Sequence, residues 1–204
     1  KFSITLQDIN FRFYSGKTVL ENVNLELKKN KIIGLFAKSG SGKSTLINLI
    51  TRLIKPDSGQ ILIDNKNIEK LENLKSYQNL FSICSQDTFI LDSSIKNNIL
   101  FGSNHVFSEQ RMKQAIKYSC LAEYIKELPL GIETDVGMSV KQLSSGQKQR
   151  IAIARTIYND RKILIFDEAT NALDEENENI LFDNIKTLKE DKIIIIISHN
   201  INNL

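Results

Sequence analysis

Apolar residues fall into two kinds of short stretch along this chain. Unbroken runs such as 163–166 (Ile-Leu-Ile-Phe) and 193–197 (five isoleucines) are typical of strands buried on both faces of a parallel sheet. Residues 2–13 alternate loosely, and Val23, Leu25 and Leu27 alternate strictly, which is typical of antiparallel strands. Together these stretches predict strands at residues 2–13, 23–27, 32–36, 61–63, 81–85, 163–166 and 193–197.

Helical signals separate these strands. A helix over about 44–53 is ended by the turn that contains Pro56, and from about 93 to 158 the signals are mostly helical. Ser108 caps a predicted helix that continues to Leu128, just before Pro129. The apolar stripe of that helix consists of Met112, Ile116, Cys120, Tyr124 and Leu128. Further helices are predicted from Ser144 and over about 175–189. The alternation indicates an α/β fold with a helical insertion in mid-chain.

The composition is ordinary for a globular protein. The chain has 204 residues and a net charge of +3, with 41% hydrophobic residues. This length can bury a substantial core, and so small a charge does not argue for a nucleic-acid partner. No apolar run approaches the roughly 18 residues that a membrane-spanning helix needs. Cys84 and Cys120 lack paired Cys or His spacing, so we interpret them as buried reduced thiols of a cytosolic protein.

Residues 37–45, with the sequence AKSGSGKST, lie between a predicted strand and a predicted helix. A glycine-rich loop in this position binds phosphate through successive backbone N–H groups and the positive end of the helix dipole. Ala37 stands where the usual pattern has glycine. Lys43 would supply positive charge to the phosphates, and the Ser44 hydroxyl can bind Mg²⁺. We therefore predict a nucleotide site. Its expected residues are Ser39, Gly40, Ser41, Gly42, Lys43, Ser44 and Thr45.

Polar side chains follow three of the predicted strands. They are Gln86, Asp167, Glu168 and His199. In this type of sheet the carboxyl ends of the strands face the nucleotide. Asp167 would hold Mg²⁺ directly or through water, and Glu168 would act as the base or position the attacking water. Gln86 can contact Mg²⁺ or that water, and His199 can hydrogen-bond the γ-phosphate.

Residues 143–147 (Leu-Ser-Ser-Gly-Gln) open a predicted helix and would by themselves be an ordinary N-cap. Followed by Lys-Gln-Arg-Ile-Ala-Ile-Ala-Arg, they resemble the signature motif of ATP-binding cassette (ABC) ATPases, which usually has glycine at the place of Ser145. Further motifs occur in the order of that family along nearly the whole chain. They are Walker A at 37–45, a Q-loop at Gln86, Walker B at 163–168, a D-loop at 171–174 and a switch histidine at His199.

The resemblance implies a single ABC ATPase domain over residues 1–204. Its fold is a P-loop NTPase core with a mostly parallel sheet, an N-terminal antiparallel β subdomain and an inserted α-helical subdomain. The core and the antiparallel subdomain would comprise residues 1–86 and 159–204. The helical subdomain would cover about 87–158, including the signature. The C-terminal helices of the family's fold are expected to be missing after residue 204.

The resemblance also implies roles for particular residues. An aromatic residue would stack on adenine, and either Phe13 or Tyr14 could fill this role. The signature residues would contact the ATP of a partner chain, and the D-loop residue is Asp174. The signature residues are Ser144, Ser145, Gly146 and Gln147. The expected cofactors are ATP and Mg²⁺, with Ser44, Gln86 and Asp167 as the metal-contacting residues.

Residues 86–102 and 128–134 resemble exporter-type ABC transporters, in which glutamate usually stands at the place of Met138. This implies ATP-driven export by a head-to-tail dimer at the cytoplasmic face of a membrane. The second nucleotide-binding domain could be a second copy or a different chain. A transmembrane domain is expected upstream of Lys1, and no nucleic acid is expected. The alternative is a soluble ABC ATPase of DNA repair or chromosome maintenance. A module that binds ATP without hydrolysis is disfavoured by Glu168 and His199.

Overall fold

The computed structural model describes residues 2–36, 40–137, 142–169 and 175–198. Within these ranges the chain forms ten strands and seven α-helices. The strands are β1 (Ser3–Arg12), β2 (Thr18–Lys28), β3 (Lys31–Phe36), β4 (Ser58–Ile63), β5 (Lys66–Asn67), β6 (Phe81–Cys84), β7 (Ser93–Ser94), β8 (Asp135–Val136), β9 (Ile163–Asp167) and β10 (Ile193–Ser198). The helices are α1 (Lys43–Ile50), α2 (Leu74–Gln78), α3 (Ile95–Leu100), α4 (Glu109–Tyr118), α5 (Ala122–Lys126), α6 (Ser145–Tyr158) and α7 (Glu175–Thr187). Every strand predicted from the apolar pattern is present.

The central sheet is parallel and has the strand order β3-β10-β9-β6. Ser198 pairs with Phe36, Ile197 with Asp167, and Cys84 with the residue before Asp167. The carboxyl ends of all four strands are therefore level at one edge of the sheet. All residues of β10 and all but the last of β9 are buried. This confirms the parallel, doubly covered strands that the unbroken apolar runs predicted.

Side chains alternate between the two faces of the central sheet. On one face, α1 and the strands β1, β2 and β4 pack against Ile163, Ile165, Ile193, Ile195 and Ile197. On the other face, α3, α4, α6 and α7 pack against Leu164, Phe166, Ile194 and Ile196. Helices α1 and α6 therefore lie on opposite faces of the same sheet.

A second sheet is antiparallel and has the order β2-β1-β4-β5. Strand β1 pairs with β2 from Ser3 opposite Lys28 to Arg12 opposite Thr18, and with β4 on its other side. The turn between β1 and β2 is closed by the Gly16 N–H, which donates to the Phe13 carbonyl at 2.8 Å. The α/β fold with an N-terminal antiparallel part is confirmed.

The predicted helix from Ser108 to Leu128 is wrong, because the structure has two helices there. Ser108 caps α4 as predicted, and its Oγ accepts from the Arg111 N–H at 3.3 Å. The chain then leaves the helix at Cys120, whose φ of 57° lies in the left-handed region. Helix α5 begins at Ala122, after this break. The short strands β7 and β8, which pair with each other, also lie within the stretch predicted as mostly helical.

Both cysteines are free thiols, but only Cys84 is fully buried, whereas Cys120 is partly exposed. Burial raises the pKa of the Cys84 thiol to about 12, while the charge of Arg155 lowers it and that of Asp167 raises it. A thiol with so high a pKa stays protonated and unreactive near neutral pH. The expectation of buried thiols is therefore confirmed for Cys84 and wrong for Cys120.

Candidate functional site

The carboxyl edge of the parallel sheet collects candidate residues from three strands. The loop before α1 follows β3, Glu168 follows β9, and Gln86 lies two residues beyond β6. Neighbouring strands lie about 4.8 Å apart, so β3 and β9, which have β10 between them, are separated by about 10 Å. Gln86 comes from the strand beyond β9 and is exposed. The loop, the carboxylates and the amide thus share one edge, as their positions after strands predicted.

Two glycines shape the part of the phosphate loop that the structure describes. Gly42 is the N-cap of α1 and has a φ of 94°. A Cβ atom at Gly42 would lie 2.8 Å from Val19 Cγ1 and 3.3 Å from the Val19 carbonyl oxygen. Only glycine therefore fits between this helix start and β2 without displacing the strand. Gly40 has a φ of 77° and open space where a Cβ would lie.

The start of α1 is suited to an anion. Gly42 has no side chain with which to cap the helix, and the first turn of α1 contains no acidic residue. The N–H groups of that turn carry the positive end of the helix dipole. Lys43 is half-buried at the first helical position, and Ser44 is exposed beside it. These residues fit a phosphate group with its Mg²⁺. The Thr45 side chain packs on the buried face of α1, so Thr45 can offer its backbone N–H.

The candidate aromatics lie in the turn between β1 and β2. The Phe13 ring packs edge-to-face on Phe11, with 5.2 Å between the ring centroids, and its side chain is 48% exposed. Tyr14 is fully exposed. Leu20 of β2 reaches to 3.2 Å from the position of a Cβ atom at Gly42. This contact places β2 directly against the phosphate loop.

Glu168 occupies an unusual backbone position at the end of β9. Its N–H donates to the Ile197 carbonyl at 3.0 Å, so pairing with β10 continues one residue past the strand. Its φ is 51°, and the residue is 8% exposed. Left-handed backbone is uncommon for a residue other than glycine, and such positions cluster at functional sites. Asp167 ends the strand and is partly buried.

The signature stretch forms a complete helix cap. The Ser144 Oγ accepts from the Gln147 N–H at 3.2 Å, and the Ser144 N–H donates to the Gln147 Oε1 at 2.9 Å. This capping box satisfies two backbone donors with the helix's own side chains. Ser144 and Ser145 are exposed, while Gly146 and Gln147 are half-buried. Because α6 and α1 pack on opposite faces of the sheet, the two helix starts of one chain lie on opposite sides of it.

Some predicted site residues lie outside the described ranges. They are Ser39 of the phosphate loop, Asp174 of the D-loop and the switch residue His199, together with Ala37 and Met138.

Asn98 and Arg155 were not predicted from the sequence, yet they connect the segment after Gln86 to α6. Asn98 is completely buried in α3, and its carbonyl accepts from the Arg155 Nε at 2.8 Å. The sequence does contain a signal for Arg155, because it is a charged residue in the otherwise uncharged, mostly apolar stretch 151–158. The structure shows that the rest of this stretch is buried. Buried charged groups are rare unless they have partners.

A protein-family model described as ABC transporter matches residues 20–171. The chain belongs to the ABC transporter family. This ABC transporter chain is 38% identical, over 97% of its length, to the ATP-dependent lipid A-core flippase of Blochmanniella pennsylvanica, of which it covers 34%. It is 41% identical, over 97% of its length, to the leukotoxin translocation ATP-binding protein LktB of Mannheimia glucosida, of which it covers 28%.

Among solved structures, a bacterial Atm1-family ABC exporter with ATP bound resembles this ABC transporter chain with a TM-score of 0.91 and 31% identity. The match covers 99% of this chain and 35% of the exporter. The chain thus spans about a third of the length of the relatives it matches. In the part of the chain that the structure describes, no helix is both long and apolar enough to cross a membrane.

Proposed function

We propose that this chain is the ATP-binding and ATP-hydrolysing domain of an exporter-type ABC transporter, at the cytoplasmic face of a membrane. The observation that carries the proposal is the glycine-capped start of α1, with Lys43 at the same sheet edge as Asp167 and Glu168. The relatives are a flippase, a leukotoxin translocation protein and an exporter. Their names favour transport over a soluble ATPase of DNA repair or chromosome maintenance.

Each residue at the edge would have a distinct role. Lys43 and the N–H groups of the loop would hold the β- and γ-phosphates of ATP. Ser44, Asp167 and Gln86 would hold Mg²⁺, which when bound neutralises charge on the phosphates. Glu168 would orient the attacking water and accept its proton. His199 would hydrogen-bond the γ-phosphate.

Phe13 is the stronger candidate for stacking on adenine. Its ring is held by Phe11 while one part stays accessible, whereas Tyr14 is fully exposed. A ring that is already fixed loses less conformational freedom when a base stacks on it.

The two helix starts support a head-to-tail dimer. Within one chain they lie on opposite sides of the central sheet, so the signature residues do not face the same chain's phosphate loop. A second nucleotide-binding domain would place its residues 144–147 and its Asp174 against this loop. We propose such a partner, and a transmembrane domain that contacts the helical subdomain without being part of this segment. We take the helical subdomain as residues 87–158, beside a core of 1–86 and 159–204.

Lys43→Ala tests the phosphate site. Charge-assisted contacts at a desolvated site contribute about 1.5–3 kcal/mol, so the Kd for Mg²⁺–ATP should rise roughly 10- to 100-fold. Titration calorimetry measures this directly. Lys66→Ala, which removes an exposed lysine from β5, is the matched control and should bind like the parent. Equal affinity in Lys43→Ala and the control would contradict the site.

The segment from Thr88 to Ile99 is expected to contact the transmembrane domain. It leaves the sheet at the nucleotide edge, and Phe89 on it is 59% exposed. A photo-crosslinking residue at Phe89 in the full-length transporter should therefore capture membrane-domain loops. The same residue at Ile180 of α7, which is 45% exposed, is the control. Adducts from Ile180 with none from Phe89 would contradict this surface.

A further inference from the structure

Asn98 fastens the segment that follows Gln86 onto the start of α3. Its Nδ2 donates to the carbonyls of Leu91 at 3.0 Å and Ser94 at 3.1 Å, and its Oδ1 accepts from the Leu91 N–H at 2.8 Å. The side chain is completely buried. A buried amide whose donors and acceptor are all used specifies one backbone path, because any other path leaves polar groups unpaired.

Arg155 fastens the same segment to α6. Its Nε donates to the Asn98 carbonyl at 2.8 Å, and its Nη2 donates to the Phe89 carbonyl at 3.0 Å. The guanidinium lies 5.5 Å from the centroid of the Phe101 ring, which is close enough for a cation–π contact. Nη2 also lies 3.4 Å from the Asn98 Oδ1. Because the two shorter bonds go to main-chain oxygens, Arg155 fixes the course of the backbone of this segment.

The segment is also held from the side of residues 134–137. The Ile95 N–H donates to the Thr134 carbonyl at 3.1 Å, and Ser93 pairs with Val136. A Cβ atom at Gly137 would lie 2.8 Å from the Cα of Asp92, so the two backbones are in close contact. Residues 134–137 precede the start of α6 in the chain. The segment after Gln86 is thus held from two sides, by α6 and by residues 134–137.

We propose that Asn98 and Arg155 are positioning residues of the ATPase reaction, which make the segment 86–94 and helix α6 move as one unit. The inference rests on the proposed function. A shift of Gln86 at the chain's own nucleotide would then reorient residues 144–147, which face the partner's nucleotide. Neither Asn98 nor Arg155 needs to touch ATP for this effect. Loss of the connection should therefore lower turnover and leave nucleotide affinity unchanged.

Arg155→Lys tests the connection. Lysine keeps the charge but cannot form the planar fork that reaches both carbonyls. We expect kcat for ATP to fall roughly tenfold, which is the rate effect that the loss of one hydrogen bond to a charged group would produce. The Kd for ATP should stay within about twofold of the parental value. Amide hydrogen exchange should rise about tenfold in 87–94 and stay unchanged in α4.

Arg150→Lys is the matched control. Arg150 lies on the same helix and donates from Nη1 to the Cys120 carbonyl at 3.2 Å, away from the segment. It should keep the parental kcat and the parental exchange in 87–94. An equal loss of kcat in Arg150→Lys and Arg155→Lys would overturn the proposal, since any weakening of α6 would then suffice.

Asn98→Ser is a second test of the connection, for the case in which Arg155→Lys lowers the melting temperature too far for the assay. It removes the side-chain bonds to Leu91 and Ser94 and the long contact with Arg155, but it leaves the Asn98 carbonyl to which Arg155 Nε donates. We expect a smaller fall in kcat, with faster exchange in 87–94. Parental kcat in both variants, measured below their melting temperatures, overturns the positioning proposal while the ATPase stands. A parent chain that does not hydrolyse ATP overturns both proposals.

Discussion

Glu168→Gln is expected to hold ATP and almost never hydrolyse it. Glutamine keeps the shape of the side chain at this buried, left-handed position, but it cannot accept a proton from water. A general base contributes about 10²- to 10⁴-fold to a rate, so kcat should fall by that factor. The Kd for ATP should stay near the parental value, because the phosphate loop is intact. With ATP trapped, a dimer should accumulate.

Steady-state turnover and size-exclusion chromatography with ATP check this expectation. Glu190→Gln, an exposed glutamate in the turn after α7, is the control and should turn over ATP like the parent. Parental turnover in Glu168→Gln would mean that another residue activates the water. A large rise in Kd would instead assign Glu168 to binding.

Mixing two inactive chains should restore activity if the nucleotide site is shared. Lys43→Ala spoils the phosphate loop. Gly146→Asp sets a negative charge in the signature against the γ-phosphate, at a first-turn helix position where aspartate is compatible with the helix dipole. Each homodimer therefore has two inactive nucleotide sites. In the mixed dimer one site carries both changes, and the other site combines an unchanged phosphate loop with an unchanged signature.

Random exchange makes half of the dimers mixed, each with one of two sites intact, so recovery should reach about a quarter of the parental activity. Lys43→Ala mixed with Ser44→Ala is the control. Both changes lie in the phosphate loop, so every site of that mixed dimer is spoiled and no recovery is expected. If Gly146→Asp mixtures also recover nothing in single-turnover measurements, although mixed dimers form, the shared site is rejected.

The phosphate loop could be predicted because its chemistry is local. Glycines, a lysine and a serine between a strand and a helix specify the anion-binding start of α1 without knowledge of the rest of the fold. The same holds for the cap at Ser144, where the glutamine three residues later completes the capping box. The unbroken isoleucine run likewise identified β10 as a doubly buried strand.

Features that depend on distant contacts could not be predicted. The place of β10 between β3 and β9 depends on contacts between distant parts of the sequence. One is the Asp191 N–H, which donates to the Asn30 Oδ1 just before β10 and β3 begin, across 161 residues. Helix α1 ends at Ile50 because Arg52 takes a φ of 61° and pairs with Glu69, far along the chain. The break at Cys120 was missed because the apolar spacing of four residues continues through it.

The contrast between the two helix starts has a consequence for the stability of the chain. The start of α6 is capped by its own Ser144 and Gln147, so two backbone N–H groups there are hydrogen-bonded without a ligand. The start of α1 has a glycine cap and no such side-chain bond, so a bound anion can accept from the N–H groups there. Within one chain, bound nucleotide is therefore expected to stabilise the start of α1 most directly. At a free concentration of 100 times its Kd, nucleotide would add about 2.7 kcal/mol to the free energy of unfolding.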